Sequence, residues 1–220
     1  MIKPIPSKNT NEYYKDKYIN RLVDLSLENI DTKFFLNILH LIQHRSLKHV
    51  NKKITMFKSR VDESIKSKYD ELKYIFEKIY EVDSKKDNLR GTFLELIVYK
   101  FLYNKYSSIP GYISALDCYV EIFGNVSIRT VDVFAFCGNK GFVSENKISE
   151  VYFENHDIEN LNRIYNDSNH YLKPYIITLA PQKYIENKLS IISSDDDVNV
   201  WVHWGDIKIV SIDNIASFFS

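Results

Sequence analysis

The stretch TVDVFAFCGNKGFVSENKIS, residues 130–149, decides the fold. Two runs rich in Val and Phe flank Gly138-Asn139, the pattern of two antiparallel strands joined by a tight turn. Residues i and i+2 of a strand point to the same face. Glu145 and Lys147 therefore project together from the second strand, while Ser144 and Asn146 point away. With the turn centred on Gly138-Asn139, Asp132 of the first strand falls opposite Glu145 or a near neighbour. Two carboxylates that close repel each other unless a divalent cation sits between them. Mg²⁺ prefers oxygen ligands and is usually held by one or two carboxylates plus waters and a substrate phosphate, so it suits such a pair.

The tripeptide Glu145-Asn146-Lys147 has a twin in Glu186-Asn187-Lys188. The twin follows Pro181 in PQKYIENKLS, a stretch with the look of a short helix. In a helix, i and i+2 lie about 200° apart. Glu186 and Lys188 then point to opposite sides and form an ordinary solvated face. Glu71-Leu72-Lys73 is set aside for the same reason, and Asp206-Ile207-Lys208 because its acid falls in a turn.

Working outward, LRGTFLELIVYKFLYNKY (89–106) reads as a helix that starts near Asp87 or Asn88. Glu95 is its only charge between Arg90 and Lys100, and it is either at the edge of the buried stripe or aimed into a site. CYVEIF (118–123) reads as a strand ahead of the hairpin. After the hairpin come a helix at roughly 150–168, a buried strand in PYIITLA (174–180) and the helix from Pro181. VNVWVHW (198–204) and IKIVS (207–211) read as a second hairpin about Gly205-Asp206, and IDNIASFF (212–219) as a closing helix. The expected fold is α/β (α+β): a mixed central sheet flanked by helices in αβββαβ order, preceded by an all-helical N-terminal region. Residues 1–86 form the helical part and 87–220 the sheet-bearing part. Within the first, residues 1–10 read as a flexible lead. Asp31-Thr32 starts one helix through KFFLNILHLIQHRSLKHV (33–50). Ile65, Tyr69, Leu72, Ile75, Phe76 and Ile79 give a helical period, which DSKKDN (83–88) breaks.

The 220 residues are 45% apolar, enough for one sizeable core or a core plus a smaller helical domain. No run of 18 apolar residues predicts a membrane span, and the polar N-terminus does not resemble a secretory signal. Cys118 and Cys137 lie in apolar strand-like stretches and read as buried reduced thiols, which fits a reducing, cytoplasmic setting. Net charge is zero but unevenly spread: residues 1–90 hold 19 Lys/Arg against 13 Asp/Glu, and residues 91–220 hold 10 against 16. Between Asp31 and Asp62 there is no acid. Arg45, Lys48 and Lys52 share a face by helical spacing, with Lys53 beside them. Such a face suits phosphate contacts that position a nucleic acid without reading its sequence. A solvated face, or one that pairs with acidic protein, is the alternative. No zinc-type cysteine spacing, phosphate-cradling Gly-rich loop or Ser-His-Asp set is visible.

Asp132, Glu145-Asn146-Lys147 and a Glu in the preceding helix together resemble the PD-(D/E)xK, or restriction-endonuclease-like, nuclease superfamily. The resemblance covers roughly residues 87–180. Val131 stands where the family's name has Pro, a departure that many members share. The resemblance implies that Asp132 and Glu145 bind a catalytic Mg²⁺ (or Mn²⁺), with the Asn146 backbone carbonyl as a further ligand. It implies that Lys147 orients and helps deprotonate the attacking water, and that Glu95 fills the helix-borne acid position. The implied activity is endonucleolytic hydrolysis of DNA, with RNA as the second candidate substrate. Cutting both strands of a duplex favours a homodimer. The alternative is a nuclease-fold module without activity that binds nucleic acid or a protein partner.

Overall fold

The computed structural model describes residues 1–8, 11–193 and 206–219. They divide into two compact units, residues 11–97 and residues 1–10 with 98–219. The first break falls after a single N-terminal strand, β1 (Ile2–Pro6). The second falls inside a helix, α5.

The unit of residues 11–97 is helical: α1 (Lys17–Leu27), α2 (Lys33–Ile42), α3 (Leu47–Lys58), α4 (Glu63–Tyr80) and the first part of α5 (Asp83–Tyr106). Asp16 caps α1, its Oδ1 accepting from the N–H groups of Tyr18 and Ile19, and Thr32 caps α2 through Phe34 N–H. The α4 stripe Tyr69, Leu72, Ile75, Phe76 and Ile79 is buried, as its spacing predicts. The expected helix over 33–50 is instead two helices, interrupted at Gln43–Ser46. Nor does DSKKDN break the chain: only Glu81 and Val82 separate α4 from α5, and residues 83–88 form the first turns of α5.

The other unit is built on a mixed seven-stranded sheet. Its strands are β1, β2 (Tyr112–Ile122), β3 (Asn125–Val126), β4 (Val131–Cys137), β5 (Lys140–Lys147), β6 (Leu172–Thr178) and β7 (Lys208–Val210). Its helices are α6 (Asn155–Asp167), α7 (Gln182–Ser193) and α8 (Ile215–Phe219). The order across the sheet is β1-β2-β4-β5-β6-β7, with β3 paired to β2. The pairs from β1 to β5 are antiparallel, while β5–β6 and β6–β7 are parallel. This is the mixed sheet in αβββαβ order that the sequence predicts.

Three details differ. Residues 2–6 are not a lead but the edge strand, with Ile2 opposite Ile122; Pro4 and Pro6 are tolerated because an edge strand needs only one side of its ladder. The strand preceding the hairpin begins at Tyr112, earlier than expected. β7 runs parallel to β6, and the strand expected over 198–204 lies outside the described residues. Val120, Phe134, Val143, Phe153, Ile158, Leu161 and Ile176 are among the residues of one buried apolar cluster.

Gly138, with φ +66°, supplies the left-handed residue of the β4–β5 turn. Gly141 has a different reason. A Cβ there would lie 2.4 Å from Leu172 Cδ2, 2.7 Å from Phe136 Cδ2 and 2.8 Å from the Ala135 carbonyl oxygen. Gly141→Ala is therefore expected to destabilise the sheet unit by about 2 kcal/mol through overpacking. Urea unfolding of the variant beside wild type checks this.

Candidate active site

The β4–β5 ladder ends with Val133 opposite Ser144, and one further step of the same register sets Asp132 opposite Glu145. There the sheet is irregular on both sides. The β2–β4 ladder pairs Leu116 with Val133 and Cys118 with Val131, passing over Asp117, whose φ is +42°. Asp132 Oδ2 accepts a 2.6 Å hydrogen bond from the backbone N–H of Asn146. Glu145, 5% exposed, shares the face of Val143, toward α6. Lys147 Nζ donates to Glu145 Oε2 at 3.1 Å and lies 3.5 Å from Asp157 Oδ1. Asp132, Glu145 and Lys147, expected together from strand period and the position of the turn, lie at one end of the hairpin.

Asp157 is an addition. It occupies the third position of α6, where it accepts from Glu154 N–H and completes a capping box with Glu154. His156 Nε2 stands 3.4 Å from the same Oδ1. The available sequence signal was an acid at the N-terminus of the helix after the hairpin, which by itself says only that a helix begins. Asn160, one turn on, holds the loop before β4 by donating to the carbonyls of Arg129 and Thr130.

Electrostatics follow from this crowding. Burial pushes the Asp132 carboxyl up to about 6, against which Lys147 and the Asn146 N–H act. Burial, and then the charge of Asp132, push Glu145 well above the ordinary carboxylate range. For Lys147, burial alone would lower the pKa. Glu145, Asp132 and Asp157 outweigh it and hold the ammonium above the ordinary lysine value. Lys147 is therefore held as an ammonium among these carboxylates.

Asp132 and Glu145 supply carboxylate oxygens only, the ligand type of hard divalent cations. Among the described residues, no group of three or more His, Cys, Asp and Glu stands ready to hold an ion. Asp132 and Glu145, both pushed upward chiefly by burial, offer oxygen ligands of the kind that could hold a divalent cation with its own waters.

On the other face of β5, Ser144 Oγ and both polar atoms of the Asn146 side chain are buried without a hydrogen-bond partner among the described residues. The twin tripeptide lies on helix α7, where Glu186 accepts from Gln182 one turn earlier. Glu95 belongs to the helical unit, half-buried on α5; the Tyr14 hydroxyl donates to it, and Gly91 leaves room beside its Oε1.

Lys48 and Lys52 are exposed on α3, one turn apart, and Lys53 is half-buried. Arg45 is exposed but precedes the helix, in the break between α2 and α3, so the shared helical face expected for Arg45, Lys48 and Lys52 is corrected to a pair plus a loop residue. Lys58 pairs with Asp70, whereas no acid among the described residues pairs with Arg45, Lys48, Lys52 or Lys53. No helix of the described residues is long and apolar enough to cross a membrane. Of the two free cysteines, Cys118 is buried, its thiol pushed up to about 12 by desolvation, and Cys137 is partly exposed.

No protein-family model matches the chain, and no curated protein matches it. Among solved structures, VC1899 from Vibrio cholerae overlays with a TM-score of 0.48 at 11% identity, covering 99% of this chain and 57% of that one. Can2 from Sulfobacillus thermosulfidooxidans, solved in complex with cyclic tetra-adenylate, overlays with a TM-score of 0.46 at 12% identity, covering 98% of this chain and 56% of that one. The chain thus spans a little over half the length of each, and their activities and ligands are theirs.

Proposed function

We propose that this protein is a Mg²⁺-dependent (or Mn²⁺-dependent) endonuclease that hydrolyses phosphodiester bonds in DNA, with RNA as the second substrate to test. The observation that carries the proposal is the convergence of Asp132, Glu145 and Lys147 at one end of the β4–β5 hairpin, with Glu145 buried, Asp132 half-buried and one ammonium between them and Asp157. Asp132, Glu145 and the Asn146 carbonyl would hold the ion. When bound, it would lower the pKa of a water and stabilise charge on the phosphoryl oxygens. Lys147, held by Glu145 and Asp157, presents its N–H donors to the attacking water or the phosphoryl group. Asn146 N–H fixes one oxygen of Asp132 and so sets how the other is aimed.

The test is incubation of purified protein with labelled duplex DNA, single-stranded DNA and RNA in Mg²⁺, Mn²⁺ or EDTA. Cleavage in metal and none in EDTA is the expected result. No cleavage under any condition would leave a module that binds nucleic acid or a protein partner without chemistry.

Arg45, Lys48, Lys52 and Lys53 are proposed to bind backbone phosphates. Charge reversal of Arg45, Lys48 and Lys52 is expected to weaken DNA binding strongly at low salt. It should flatten log affinity against log salt by up to roughly 0.9 for each phosphate no longer neutralised. Binding curves over a salt series decide it, and an unchanged slope with unchanged affinity would make this face a solvated or protein-binding one.

A further inference from the structure

The direction in which the Lys147 ammonium points decides what it can reach. An ammonium has three N–H donors. One goes to Glu145 Oε2 at 3.1 Å, and a second faces Asp157 Oδ1 at 3.5 Å. Two anchors, one on β5 and one on α6, fix the direction of the third N–H, which a single anchor would not do. Asp157 is itself held: it is 6% exposed, and its Oδ2 accepts from Glu154 N–H at 3.1 Å. Its Oδ1 is shared. His156 Nε2 stands 3.4 Å from that oxygen, and His156 Nδ1 stands 3.0 Å from Glu154 Oε2.

Glu154, His156, Asp157, Lys147 and Glu145 therefore form one row in which acids and nitrogen groups alternate, from exposed Glu154 to buried Glu145. The capping box uses only Glu154 and Asp157, so it does not account for His156. A surface pair of His156 with Glu154 would account for Nδ1 but not for the second nitrogen beside Asp157. Nε2 takes up part of the charge on Oδ1 that would otherwise act on Lys147 alone. The ammonium accordingly lies nearer to Glu145 than to Asp157.

We propose that His156 is a positioning residue: through Asp157 it keeps the Lys147 ammonium beside Glu145, where it serves the scissile phosphate. This rests on the nuclease reading of the site. Cleavage in Mg²⁺ would be measured over a range of substrate concentrations for wild type, His156→Ala, His156→Gln and His156→Asn. A glutamine amide nitrogen replaces Nε2, whereas an asparagine one replaces Nδ1. His156→Ala should lower kcat by about tenfold or more with KM within about twofold, because a displaced lysine costs rate and not affinity. His156→Gln should recover kcat to within about threefold of wild type, and His156→Asn should not.

Urea unfolding in EDTA, which needs no activity, reads the same row through a double-mutant cycle of His156→Ala with Lys147→Met. The two effects on stability should be non-additive, because both substitutions act on the charge of Asp157. Additive effects would overturn the link between His156 and Lys147. With wild type active, His156→Ala cleaving like wild type, or His156→Gln as impaired as His156→Ala, would overturn the positioning role and leave the nuclease reading standing. A wild type that cleaves nothing would overturn the nuclease reading and the catalytic role of His156 with it, while the cycle in EDTA would still decide whether His156 acts on Lys147.

Discussion

Asp132→Asn is expected to abolish metal-dependent cleavage and, in the same preparation, to raise the melting temperature of the metal-free protein at pH 8. The loss of activity follows from the proposed role of Asp132 as a metal ligand. The ion's stabilisation of the transition state is worth several kcal/mol, so its loss corresponds to roughly 10³-fold or more in rate. The gain in stability follows from the pKa. Asp132 titrates at about 6 when folded, above the ordinary value of 3.8, so the folded state binds the extra proton. Its favourable contribution is fully present below about pH 4 and is lost as pH rises through 6, a swing on the order of a few kcal/mol.

Asparagine never carries the charge that incurs this loss, and its side-chain oxygen can still accept from Asn146 N–H. The two proteins should therefore melt alike near pH 4 and diverge by pH 8. Glu145→Gln should behave in the same way, because burial and Asp132 push Glu145 in the same direction. Mg²⁺ should raise the melting temperature of wild type at pH 8 and leave that of the variants unchanged. A variant that melts lower than wild type at pH 8, with no response of wild type to Mg²⁺, would contradict the electrostatic account of the site.

Lys147→Ala should lose activity by orders of magnitude and also lose stability at neutral pH. Expecting a partly hydrated lysine to matter little for folding would overlook what it touches. Its ammonium serves two buried acids, Glu145 and Asp157, at 3.1 and 3.5 Å. Removing one partner of a buried pair leaves uncompensated charge, at a cost of roughly 3–5 kcal/mol. In a chain of this size that is on the order of 10 °C in melting temperature. The cost should shrink toward pH 5, as Asp132 and Glu145 take up protons and the site loses the charge that Lys147 offsets. Lys188→Ala should change neither activity nor stability appreciably, because Lys188 sits on α7 without such a cluster. Thermal melts at both pH values, with cleavage assays alongside, distinguish the twins. Equal losses from both substitutions would mean that strand and helix placement of the tripeptide makes no difference.

What could be read from the residues was set by how local its cause is. The hairpin of β4 and β5 was legible because alternation and a Gly-Asn turn are properties of adjacent residues. From that hairpin the company of Asp132, Glu145 and Lys147 followed. Asp157 was not legible as a partner of Lys147: ten residues and a change of element separate them, and its local signature is that of a helix start. The break at Gln43–Ser46 was hidden because it contains neither Gly nor Pro, and the apolar period on either side spans it. β1 was hidden by Pro4 and Pro6, which argue against a strand everywhere except at an edge.

β1 also bears on how the chain is made. Ile2 pairs with Ile122, about 120 residues downstream. At roughly 5–20 residues per second, the ribosome exposes β1 many seconds before its partner exists. The residues that emerge meanwhile are those of the helical unit, in which α1 packs on α2 and α4, and α3 on α2 and α4. That unit can settle during synthesis, while the first strand waits as an extended, proline-bearing tail. Pairing with β2 is then a long-range closure that pays its loop entropy late. A nascent chain arrested before residue 112 should accordingly show protected helices and a protease-sensitive N-terminus.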